Sequence, residues 1–176
     1  GTGALTLSYL YTVEAFKDYF NRLKPDGLLA ITRWIKVPPK DALRLFWTAI
    51  TACHTLGVDD PDRQLAMIRS WKTTTLLFKK GVFSKIEISA IKSFCHNRSF
   101  DTVYYPGITK TDINQYNILE VPYFYQGVTA LLGKKGDEFV NRYKFHVTPT
   151  TDDRPYFFHF FKFKILELNK PKMGKA

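Results

Sequence analysis

"GLLAITRW", residues 27–34, is a short and almost continuous apolar run that ends on an arginine and a tryptophan. The pattern is that of a strand covered on both faces, as strands in a parallel sheet are. It follows "KPDG" (Lys24–Gly27), whose Pro and Gly suit turn positions. Before the turn, residues 12–24 fit a helix. Thr12 suits its cap, Glu14 the positive end of its dipole, and Phe16, Phe20 and Leu23 fall on one face.

Downstream, Pro38 and Pro39 mark a loop, and Asp41–Leu56 fits a long helix closed by Gly57. "VDDPDRQ" reads as a loop, and "TTTLLFKK" (Thr73–Lys80), rich in β-branched residues, as a second strand. Ser84 and Glu87 have the spacing of a capping box, with Phe83 and Ile88 placed as a hydrophobic staple. The helix they start carries Ile88, Ile91 and Cys95 on one face. "FDTVYYPG" (Phe100–Gly107) reads as a third strand. "VPYFYQGVTALLG", with Pro122 in a first turn, and "DEFVNRYKF" then read as helices. Helix and strand thus alternate through the first two-thirds, which predicts an α/β sheet with helices packed on it. The expected division is residues 1–110 as the sheet-bearing part and 111–176 as a helical and aromatic C-terminal extension.

The 176 residues carry 26 Lys/Arg against 16 Asp/Glu, a net charge of +10, which favours an anionic partner or simply a lysine-rich surface. No block of consecutive basic residues resembles a nucleic-acid arm, so no nucleic-acid partner is expected. Cys53 and Cys95 form no CxxC, and the four histidines are scattered, so no metal site is expected. No stretch approaches the ~18–20 apolar residues of a membrane span.

Neither a glycine-rich phosphate loop, a GxSxG elbow nor an HExxH occurs. Arg33 and Trp34 end the first strand, at the sheet edge where α/β proteins hold ligands. The plainer reading is a solvated arginine and a packing tryptophan. Tyr9, Tyr11 and Glu14 stand before and at the start of the first helix, facing a ligand or serving as ordinary cap neighbours. In "TPTTDDRPYFFHFFKFK" (148–164), Asp152 and Asp153 offer a general-base pair or a cation site. The plainer reading is a turn with Asp153 paired to Arg154 and the backbone fixed by Pro155.

"YLYTVEAFKDYFNRLKPDGLLAITRW" closely resembles the middle of spermidine synthase-like proteins, which have the class I S-adenosylmethionine-dependent methyltransferase fold. "FDTVYYPG", the "PYFYQGV" helix and "TTDDRPYFFHFF" resemble that family's membrane-fused bacterial branch. The resemblance implies the C-terminal part of a Rossmann-like methyltransferase sheet, mostly parallel with its last strand antiparallel, and a helical and aromatic cap. It implies a transferase acting on a small amine with S-adenosylmethionine or its decarboxylated form. Tyr9, Tyr11, Glu14, Arg33 and Trp34 are then expected on the substrate side. The catalytic residues and the glycine-rich cofactor loop are expected upstream of residue 1, which would leave this piece inactive alone and without a cofactor site of its own. Flanking membrane attachment, a place at the cytoplasmic face of the inner membrane, and a homodimer are compatible with the resemblance. A non-catalytic methyltransferase-like scaffold or regulatory module of a membrane protein is the alternative.

Overall fold

A computed structural model describes residues 10–143. Tyr9 and the stretch 148–164 lie outside the described residues. In chain order the elements are α1 (Val13–Arg22), β1 (Leu28–Trp34), α2 (Asp41–Thr55), β2 (Leu65–Arg69), β3 (Thr73–Lys79), α3 (Lys85–Arg98), β4 (Asp101–Tyr104), α4 (Tyr123–Leu132) and α5 (Gly136–Arg142).

The helix signals in the sequence act as they read. Thr12 accepts a hydrogen bond from the Ala15 amide at 3.1 Å and starts α1. The Ser84 hydroxyl accepts from the Glu87 amide at 3.2 Å, and the Glu87 carboxylate accepts from the Ser84 amide at 2.7 Å. This closed capping box fixes the start of α3. Gly57, at φ +77°, takes the left-handed position just past α2.

The sheet corrects the expectation of a mostly parallel, Rossmann-like arrangement. Its order is β1-β3-β2-β4, and every neighbouring pair is antiparallel. The cause lies in "LAMIR", residues 65–69, a strand that the sequence reading passed over between the loop and "TTTLLFKK". The Ser70 hydroxyl accepts from the amides of Lys72 and Thr73 at 3.1 and 2.9 Å, and the Ser70 amide donates to the Thr73 carbonyl at 2.8 Å. A tight turn of this kind joins only antiparallel strands. β3 therefore folds back on β2 and carries β1 on its far side, with Leu28 opposite Lys79 and Trp34 opposite Thr73.

One sheet face holds the main core. Phe16 and Phe20 of α1 lie with ring centroids 6.2 and 5.3 Å from that of Phe78. Leu43, Phe46 and Ile50 of α2 join Phe124, Val128 and Leu131 of α4 in the same cluster. Each such buried side chain contributes about 1.5–3 kcal/mol. On the opposite face α3 covers a smaller cluster of Ala66, Phe83 and Tyr105, with Leu77, Ile88 and Ile91 against it.

β1 is less covered than its apolar sequence predicts, and it alternates along its length. Leu29 and Ile31 pack on the main core. Leu28, at 49% exposed, and Trp34, at 69%, turn to the other face with Ala30 and Thr32. Lys80 donates to the Gly27 carbonyl at 2.9 Å and Ile35 to the Lys72 carbonyl at 2.7 Å. Odd-numbered residues thus bond to β3. The even-numbered ones point their backbone groups to an edge that no described strand pairs. No helix among the described residues is long and apolar enough to cross a membrane.

Candidate functional site

The C-terminal end of β1, the segment leading into α1 and the first turn of α2 meet on the core side of the sheet. Arg33 is odd-numbered, so it turns inward with Leu29 and Ile31. It donates through Nη1 to the Tyr11 hydroxyl at 3.1 Å, and its guanidinium carbon lies 4.9 Å from the Tyr11 ring centroid. Asp41, the first residue of α2, brings a carboxylate to this point. Its Oδ2 lies 4.0 Å from Arg33 Nη2 and 3.7 Å from Lys36 Nζ. Lys36 sits in the loop of Val37, Pro38 and Pro39, which the sequence marked by its prolines.

Asp41 is 3% exposed, and its Oδ1 is buried with no hydrogen-bond partner. One turn further along α2, Arg44 is 1% exposed. Burial lowers its pKa to about 10, with Asp41 acting in the opposite direction. Arg44 therefore stays charged at neutral pH and, with Arg33 and Lys36, is one of three cations near Asp41 among the described residues. The start of α2 adds the positive end of its dipole. Cations so placed favour negative or electron-rich groups and disfavour protonation of a basic group brought close.

Of the residues expected at a site, Tyr11 and Arg33 are brought into contact. Glu14 lies half-buried in the first turn of α1. Trp34 is turned to the opposite face of the sheet, because neighbouring residues in a strand alternate. Tyr9 is outside the described residues. Asp41, Arg44 and Lys36 were missed. The signal for the first two was present in "DALRLFW", where a lone arginine and aspartate one turn apart stand in an apolar helix.

A second polar region lies across the molecule. A surface cleft of ≈ 400 Å³ is lined by Lys92, His96, Asp112, Gln115 and Tyr116. Its groups satisfy one another: His96 Nδ1 is 2.6 Å from the Tyr116 hydroxyl, and Lys92 Nζ is 3.4 Å from Asp112 Oδ1. Beneath it Asp101 accepts from the amides of Gln115, Tyr116 and Asn117 at 2.6, 2.9 and 2.8 Å. Asp101 Oδ2 also accepts from Arg69 Nη2 at 3.3 Å and from Asn117 Nδ2 at 3.0 Å. This is a clamp on a loop. Among the described residues, no group of His, Cys, Asp and Glu is placed to hold a metal ion.

No protein-family model, curated protein or solved structure matches this chain.

Proposed function

We propose that the chain is the substrate-side portion of a spermidine synthase-like transferase that uses S-adenosylmethionine or its decarboxylated form. The observation that supports this reading is the contact of Tyr11 with Arg33. Both belong to the stretch 9–34 that carries the resemblance, and they stand 22 residues apart in sequence.

Transfer to an amine needs the nitrogen unprotonated and aligned on the carbon next to the sulfonium. A cluster of Arg33, Lys36 and Arg44 suits the first requirement. Positive charge near an amine lowers its pKa and raises the fraction that carries a free electron pair. The Tyr11 ring and hydroxyl would orient the amine, and Asp41 holds the two nearest cations in place.

A second reading, a non-catalytic scaffold or regulatory module, is favoured by β1. Its edge, which no described strand pairs, and its exposed Leu28 and Trp34 suit a strand laid against further protein. Titration calorimetry on the full-length protein separates the two. The transferase reading expects binding of S-adenosylmethionine or its decarboxylated form. Absence of binding by either sulfonium compound would overturn it in favour of the scaffold.

A further inference from the structure

The protein has three tryptophans, and two of them stand in solvent at one end of the sheet. Trp34 closes β1 and is 69% exposed. Trp71, in the turn between β2 and β3, is 68% exposed. The register sets Trp34 opposite Thr73, and the Ile35 amide donates to the Lys72 carbonyl at 2.7 Å, so the two indoles stand on adjoining segments. Trp47, by contrast, is half-buried against the main core.

The turn does not need its indole. Bonds among Ser70, Lys72 and Thr73 close it, and Trp71 makes none of them. Apolar residues exposed singly are ordinary, whereas large ones grouped at one end mark a contact surface. Lys72 decides the chemistry of the partner. Its Nζ lies 4.3 Å from the Trp71 ring centroid, so an apolar ring and a cation are presented together. An indole, apolar but with one N–H donor, and a lysine, with an apolar stem and a charged tip, both suit a boundary between hydrocarbon and water. Shape narrows the choice further. A side chain two-thirds exposed stands clear of the surface instead of lining a groove, which fits a flat partner better than an inserted peptide. A second copy fits poorly, because two-fold contact through this end would join two chains of net charge +10.

We propose that this end of the sheet is a peripheral contact for an anionic lipid surface. Trp34 and Trp71 enter the headgroup region, and Lys72 meets the lipid phosphates. The contact uses the turn and the face of β1 opposite the main core, not the Tyr11–Arg33–Asp41 cluster. It holds whether or not the chain is a transferase.

Co-sedimentation of the full chain with phosphatidylcholine vesicles, with and without phosphatidylglycerol, tests it. The chain should bind the anionic vesicles, its tryptophan emission should shift to the blue, and brominated lipid should quench it. Trp34→Ala with Trp71→Ala should weaken binding about tenfold or more and remove the quenching, since Trp47 stays in the core. Lys72→Gln should weaken binding to the anionic vesicles about fivefold. Urea midpoints of the variants report whether the fold is kept, and Trp71→Ala alone, confined to the turn, serves if Trp34→Ala unsettles β1. A parent chain that ignores anionic vesicles would overturn the contact. So would a double tryptophan variant that binds like the parent, which would assign binding to lysines elsewhere. Indoles that acrylamide cannot reach in the lipid-free chain would overturn it too, in favour of a protein contact.

Discussion

Asp41 and Asp101 are both buried aspartates beside an arginine, and their surroundings are built in opposite ways. Asp101 takes hydrogen bonds from three backbone amides, one side-chain amide and Arg69. Arg69 in turn donates to the Asn117 carbonyl at 2.6 Å and lies 5.4 Å from the Phe124 ring. Asp41 has an oxygen with no hydrogen-bond partner, and Lys36 Nζ and Arg33 Nη2 stand 3.7 and 4.0 Å from its other oxygen. A saturated buried network specifies one structure, whereas a partly satisfied one marks a place where something else is held. The Asp101 region is therefore architecture, whereas one oxygen of Asp41 is left open among the described residues.

The comparison can be broken by substitution. Asp101→Asn removes the charge that balances buried Arg69 and places an amide among donors. It should cost about 3–5 kcal/mol in urea unfolding. Exchange at the amides of 115–117 should rise with it. A cost no larger than that of a surface substitution would remove the distinction between the two sites.

Gly127→Ala tests what the sites share. Phe124 and Gly127 lie on α4, and Phe124 faces Arg69. A Cβ at Gly127 would stand 2.5 Å from Leu43 Cδ2, next to Arg44 on α2. The helices must then separate or Leu43 must move, at about 1–3 kcal/mol by thermal or denaturant unfolding. Both Asp regions should loosen together in hydrogen exchange.

Asp41→Asn should cost less than Asp101→Asn, about 1–2 kcal/mol, because no short hydrogen bond is lost with the charge. Its signature should lie in the cluster, as faster exchange in residues 35–44. A loss as large as that at Asp101 would make Asp41 an architectural residue as well.

Much of this contrast was invisible in the sequence for a physical reason. Caps, helix faces and turns are local, so Thr12, the Ser84–Glu87 box and Gly57 could be read directly. Strand direction is not local. It was decided here by the turn at Ser70–Thr73 and by "LAMIR", whose five residues include Ala, Met and Arg and lack a strong strand signature. The inward turn of Arg33 and outward turn of Trp34 follow from strand alternation, yet a nearly continuous apolar run conceals which parity faces the core. Asp101 looks like any residue at the start of a strand. Its five donors come mostly from the loop at residues 115–117, which sequence spacing does not bring to it.

Asp112 supplies the smallest and most easily isolated test, since it is an aspartate stabilised by local bonds at the rim of the surface cleft. The Thr109 hydroxyl donates to its carboxylate at 2.6 Å, and this bond is the main reason that its pKa falls to about 2. Lys92 and the Thr109 amide, at 3.4 and 3.3 Å, act in the same direction. A carboxyl whose folded pKa lies below its unfolded value, about 3.9, stabilises the fold fully above that value. The contribution is then lost as pH falls from about 4 towards 2. Thr109→Val should raise the Asp112 pKa and shrink the acid-dependent part of the urea midpoint. Above pH 5 it should lower stability slightly, through loss of the hydrogen bond. Carboxyl titration by NMR in both proteins separates this from general acid unfolding. An Asp112 resonance that titrates at the ordinary aspartate value in the parent protein would show that the rim is as loosely held as the Asp41 cluster, and that tight pairing is confined to Asp101.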